Sequence, residues 1–179
     1  GGGACLYRSL GYGRLGVDVA PLQVSGDLKF SRISAGVSPT CALTGAGKAY
    51  CWGDNSSGQI GDGSTNDLAT PVAVGGVMTF ESISAGVSHT CAVGSDGHAY
   101  CWGENKAGQL GDGTHKSRSK AAPVSGATAF ASVSAGGTSS CGTTRTVEAL
   151  CWGGNARGQL GDGTTTNHEA PEPIGASAQ

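Results

Sequence analysis

Apolar positions in this chain come in short bursts. "FSRIS" at 30–34 alternates, which places Phe30, Arg32 and Ser34 on one side of a strand and Ser31 and Ile33 on the other. "TCAL", "AYCW" and "PVAV" are runs of four bounded by Gly, Asn, Asp or Pro, the usual punctuation of short strands. No segment keeps an apolar i, i+3, i+4, i+7 pattern long enough to predict a helix. The bursts also recur. "CWGDNSSGQIGDGS" at 51–64 returns as "CWGENKAGQLGDGT" at 101–114 and as "CWGGNARGQLGDGT" at 151–164, and units of fifty residues open at Phe30, Phe80 and Phe130. Four short strands in each such unit predict a blade of a β-propeller. A β-helix would need much shorter coils, and a plain sandwich would not repeat its sequence.

The predicted fold is therefore all-β, a β-propeller of four-stranded antiparallel blades. A partial N-terminal blade spans 1–29, and three repeats span 30–79, 80–129 and 130–179. The partial unit, "GRLGVDVAPLQVSG" at 13–26, matches only the end of a repeat and lacks about five residues between Gly16 and Pro21. Pro21, Pro71 and Pro171 share a register, whereas the second repeat puts Pro123 out of phase with them. Seven blades would need about 350 positions, and the chain has 179. About three blades plus a partial one predict an incomplete ring or arc. Both ends then carry unpaired edges, which asks for ring completion by missing sequence or by another chain.

Composition narrows the function. Charged residues are 13% of the chain and Gly fills 33 positions, which suits a protein made largely of tight turns. A net charge of -2 gives no overall field for gripping nucleic acid. No apolar run approaches the roughly 18 residues of a membrane helix, so no direct membrane span is expected. "GQLGDGT" lacks the Gly-Lys-Ser/Thr ending of a phosphate loop, and its Gly and Asp residues read as turn formers, with Asp62, Asp112 and Asp162 capping turn amides. Those aspartates with Asn55, Asn105 and Asn155 lack the density of a calcium loop. No metal and no other cofactor is expected. The four His (89, 98, 115, 168) share no repeat register, and no catalytic constellation can be assembled from spacing, so no catalytic residue is assigned.

The repeated "SAG", "TCA", "AYCWG-x-N-x-x-GQ-[IL]-GDG-[ST]" and closing "P-x-x-V" resemble the propeller repeats of the regulator of chromosome condensation family, in their bacterial Cys-Trp-Gly form, over roughly residues 13–176. The resemblance implies the propeller fold. It implies less about function, because members include a nuclear nucleotide-exchange factor, a plant ultraviolet receptor and secreted β-lactamase inhibitors. The plant receptor's tryptophan-rich signature is missing. Trp52, Trp102 and Trp152 are expected to pack between blades.

Six cysteines fall as Cys41/Cys51, Cys91/Cys101 and Cys141/Cys151, always ten apart. In "TCALTGAGKAYCW" two strands fold about a tight Gly turn. If residues whose numbers sum to 92 face each other, Cys41 and Cys51 are opposite and within disulfide reach. One staple per blade, closing the same hairpin each time, is the favoured reading. Reduced cysteines buried as small hydrophobes, and zinc ligation, are the alternatives. Disulfides imply an extracytoplasmic setting: periplasm, cell surface or medium. The third hairpin should be the least regular, because Val147 stands where its sisters have Gly47 and Gly97. Cys5 is left over, either an orphan thiol from a truncated pair or a lipidation site.

One segment differs from its sisters. "HKSRSK" at 115–120 puts His115, Lys116, Arg118 and Lys120 in the loop after "GDGT", where the other repeats read "TNDLAT" and "TTNHEA". A solvated loop is one reading; loops on a rigid scaffold also carry specificity, so these four residues are the candidate contact for an acidic protein partner. The function expected is a non-catalytic extracytoplasmic protein-interaction scaffold, an accessory subunit of a larger membrane-associated complex. The alternative is a secreted propeller-type enzyme inhibitor.

Overall fold

The computed structural model describes residues 23–126 and 129–175. Twelve strands, and no helix among the described residues, form three separate four-stranded sheets. The first blade holds β1 (Phe30–Ala35), β2 (Pro39–Thr44), β3 (Ala49–Gly53) and β4 (Leu68–Ala73). The second holds β5 (Phe80–Ala85), β6 (His89–Gly94), β7 (Ala99–Gly103) and β8 (Arg118–Pro123). The third holds β9 (Phe130–Ala135), β10 (Ser139–Thr144), β11 (Ala149–Gly153) and β12 (His168–Pro173). Each sheet is an antiparallel meander in sequence order, and the whole is an incomplete propeller. Strands β1, β5 and β9 lie side by side at its inner edge. Cys5 and most of the partial N-terminal blade lie outside the described residues. Of the "PLQV" that closes this partial unit, Gln23 and Val24 are described, and neither is in a strand.

The core lies between blades rather than within one. Residues paired across antiparallel strands point the same way, so the register gives each sheet two distinct faces. One face carries the cysteines, with Leu43 or Val93; the other carries the Phe and Trp. The cysteine face of the first blade, with Cys41, Leu43, Cys51, Ile60 and Val74, packs on Phe80, Ala92 and Trp102 of the second. The second blade meets Phe130, Leu150 and Trp152 of the third in the same way, through Cys91, Val93, Cys101, Leu110 and Val124. The three Trp are at most 1% exposed.

Three sequence expectations change here. The alternation in "FSRIS" does not hold, because the register shifts between Phe30 and Arg32. This bulge at Ser31 turns Phe30 to the same face as Ile33 and Trp52, with the Phe30 and Trp52 ring centroids 6.0 Å apart. The fifth and ninth strands repeat the shift. Next, residues 118–120 are not loop. Arg118 pairs with Gly103 and opens β8, so only 115–117 of the cationic segment precede the strand. Third, the third hairpin keeps its sisters' register, with Cys141 opposite Cys151. Val147 takes φ 70°, so the misfit is confined to one exposed residue instead of spreading into the ladder.

Candidate functional site

Each hairpin is closed by a disulfide, Cys41–Cys51, Cys91–Cys101 and Cys141–Cys151, with the paired Cα atoms 4.1 Å apart in all three. The turn explains the constancy. In the first hairpin Gly47 donates to the Thr44 carbonyl at 2.9 Å, and Thr44 donates to Lys48 at 2.9 Å. Gly47 adopts φ 79°, a value that costs a side-chain-bearing residue. With the turn fixed, the cysteines are opposed by geometry alone.

The loop after β3 is organised by one buried amide. Asn55 is fully buried; its Oδ1 accepts from Ile60 N–H at 2.9 Å, and its Nδ2 donates to Asp62 and to the Ser64 carbonyl at 3.2 Å each. Asn105 and Asn155 repeat these bonds toward Leu110 and Asp112, and toward Leu160 and Asp162. Each aspartate also caps the amide two residues on, at 2.9, 3.0 and 2.8 Å. The Asn–Asp pairs are thus spent within the loop. Among the described residues no cluster of His, Cys, Asp or Glu is placed to hold a metal ion.

The ordered loop presents the Gln59 carbonyl to the next blade. Trp102 Nε1 and Thr90 Oγ1 both donate to it, each at 2.9 Å. Gln109 receives Trp152 Nε1 at 3.0 Å and Ser140 Oγ at 2.8 Å. A Cβ on Gly61 would stand 2.6 Å from Trp102 Nε1, so the indole seats only because that position is glycine. At the inner edge, Ala85 N–H donates to Ser34 Oγ and Ala135 N–H to Ser84 Oγ, both at 3.0 Å. Sequence reasoning placed the Trp residues between blades but missed the Gln59 and Gln109 carbonyls as receptors for Trp102 and Trp152, and Ser34 and Ser84 as receptors for the Ala85 and Ala135 amides. Their recurrence in "GQ" and "SAG" was the only available signal.

The cationic segment is largely engaged with its own protein. Arg118 Nη2 and Nε reach Asp112 Oδ2 at 2.8 and 2.9 Å. Burial opposes ionisation of Asp112, but bonds from Thr114 and the Arg118 guanidinium leave its carboxyl below the usual carboxylate range. His115 Nε2 meets Glu169 Oε1 of the third blade at 2.7 Å. Lys120 lays its stem over Gly63, whose added Cβ would meet Lys120 Cε at 2.8 Å. Lys116 and Lys120 are exposed, and neither ammonium has a carboxylate partner among the described residues. In the third blade His168 takes the place of Arg118, and its Nε2 lies 2.5 Å from Asp162 Oδ2. The Thr164 amide and His168 hold the Asp162 carboxyl well below the usual range.

His89 stands apart. It is fully buried, with Nε2 2.9 Å from Ser140 Oγ of the third blade. Ser140 spends its proton on the Gln109 carbonyl, so Nε2 is the donor and Nδ1 is bare. Nδ1 has no hydrogen-bond partner. Burial lowers the imidazole pKa from 6.5 to about 4, against a smaller opposing pull from Glu104.

The profile of the "Regulator of chromosome condensation (RCC1) repeat" matches residues 46–93 and 96–142, and a second profile of the same description matches 30–59 and 80–109. Among solved structures, human WBSCR16 is 20% identical, with a TM-score of 0.78 over 94% of this chain and 45% of that one. Prp20p from Saccharomyces cerevisiae, described with its binding properties to Gsp1p and histones, is 24% identical, with a TM-score of 0.73 over 84% and 39%. The ectodomain of the Physcomitrella patens receptor kinase CR4 is 27% identical, with a TM-score of 0.53 over 75% and 32%. The chain spans less than half the length of each of these structures.

Proposed function

Because the chain belongs to the regulator of chromosome condensation (RCC1) repeat family, we propose that it is a non-catalytic, extracytoplasmic protein-interaction scaffold acting as an accessory subunit of a larger complex. The observation that carries this reading is the cystine in every described blade, at one register and in one hairpin. Three such staples suit an oxidising compartment, and a receptor ectodomain is among the similar structures. Protein binding is a described property of Prp20p, through Gsp1p and histones, and fits rigid blades that carry variable loops.

The partner contact is centred on Lys116 and Lys120, which leave their charges uncommitted, with His115 and Arg118 as structural neighbours tied to Glu169 and Asp112. The partner surface it fits is acidic. The test uses the full chain and a fluorescent ten-residue polyglutamate peptide as probe. Lys116→Glu combined with Lys120→Glu should weaken binding at least fivefold and flatten its salt dependence, with the unfolding midpoint unchanged. Equal affinity of variant and parent would remove the site. Peptide mapping of protein taken from its source without reduction tests the compartment. Free thiols at Cys41, Cys51, Cys91, Cys101, Cys141 and Cys151 would overturn it.

A further inference from the structure

The last strand of each meander, β4, β8 or β12, turns one row of backbone groups away from its sheet. The register fixes which groups these are. Ala122 is opposite Cys101 and Val124 N–H donates to Ala99 O at 2.9 Å, so Ala122 spends both polar groups on β7, and Ala121 and Pro123 turn theirs outward. The same bonds recur in the other blades, Val74 N–H to Ala49 O at 3.0 Å and Ile174 N–H to Ala149 O at 3.1 Å. They set Pro71 and Ala73 outward in β4, and Pro171 and Pro173 outward in β12. Proline has no N–H to offer an added strand. The middle of the edge is thus blocked in β4 and β12. It is open in β8, where Ala121 keeps its donor and Pro123 is the last residue of the strand. A groove of about 620 Å³ runs along this edge, lined by Asp112 and residues 117–123 and by nothing from β7.

We infer that β8 is a docking edge for an extended acidic segment of a partner protein, which adds to the second blade as a fifth strand. Ala121 N–H, Ala121 O and Pro123 O supply the main-chain bonds. Ser119 O does not join them, because Gly63 N–H already donates to it at 2.8 Å. Charge selects the occupant. Lys120 lies on this edge and Lys116 just before it, both exposed, while the Arg118 charge is met by Asp112. Lysine on an open edge repels a second β8 and admits a strand of opposite charge. Acidic residues at every second position of the added strand fall on one face, so they can share the side that Lys120 takes. The second blade has a described neighbour on each packed face, and strand addition at its circumference needs neither junction to open. The inference rests on the reading of Lys116 and Lys120 as a protein contact, and it names the form of what they bind.

The test uses the full oxidised chain and two fluorescent decapeptides, one of alternating Glu and Thr and one of alternating Glu and Pro. Their charges are equal, and the second lacks half of the backbone donors. The Glu-Thr probe should bind at least fivefold more tightly than the Glu-Pro probe, and at saturation it should slow amide exchange at Ala121 at least tenfold. Ala121→Pro gives β8 the outward proline pair that β12 carries as Pro171 and Pro173, so the thermal midpoint should be unchanged. With both lysines in place, this variant should bind the Glu-Thr probe at least fivefold more weakly than the parent. Equal affinity of Ala121→Pro and the parent, or unchanged exchange at Ala121 in the saturated complex, would overturn the inference. So would a failure of the Glu-Thr probe to bind the parent. If Ala121→Pro binds like the parent while Lys116→Glu with Lys120→Glu binds weakly, strand addition falls and the cationic contact stands.

Discussion

Acidification should loosen the second blade from the third through one residue, His89. In the folded protein its imidazole is neutral down to about pH 4, whereas in the unfolded chain it takes up a proton near 6.5. The unfolded state therefore binds more protons between these values, and stability falls as pH falls. Above about pH 7 the contribution is fully present. Below 6.5 it declines by about 1.4 kcal/mol per pH unit, and it is exhausted below about 4. The total is about 3 kcal/mol on the order-of-magnitude scale of such shifts. The cause is burial, and the bare Nδ1 shows where it acts: on protonation it becomes a buried N–H with no acceptor. Urea unfolding of the oxidised chain at pH 7 and pH 4 measures the loss. His89→Ser, which installs the residue type of Ser139 in the third repeat, supplies the reference. That variant leaves a cavity and should be weaker at pH 7, but it should lose about 3 kcal/mol less than the parent on acidification. Carboxylates and the other histidines are common to both proteins and cancel. Parallel pH profiles would refute the reasoning.

Val147→Gly should raise stability by about 1 kcal/mol, because Val147 is 89% exposed and holds φ 70° at a cost that glycine escapes; a lower thermal midpoint would contradict this. Asn105→Ala should cost about 2–4 kcal/mol, since it strips the Leu110 amide and Asp112 of a buried partner, and a loss within about 0.5 kcal/mol in denaturant titration would show that water replaces the amide. Arg118→Glu should destabilise the second blade by setting a second carboxylate beside Asp112, whereas Lys116→Glu should be neutral; equal midpoints for the two variants would remove the distinction between tied and free cations.

The sequence alone determined what depends on neighbours along the chain. The repeat length, the blade type, the opposed cysteines and the turn glycines follow from local alternation and punctuation, which three copies state three times. A hairpin that closes over five residues leaves its register little choice, so Cys41 and Cys51 could be paired on paper. Tertiary structure decided whatever spans fifty residues. The bulge at Ser31 is needed to turn the Phe30 ring toward Trp52, and nothing in "FSRIS" marks it. Arg118 looked like a loop cation because its carboxylate, Asp112, becomes its neighbour only when β8 pairs with β7. His89 differs from Pro39 and Ser139 in sequence, but its titration is set by burial, which the packing of the second blade on the third decides. The receptor for the Trp102 and Trp152 indoles is a backbone carbonyl, a group that every residue possesses. Only the amide of Asn55 or Asn105, folding its loop, aims that carbonyl at the neighbouring blade.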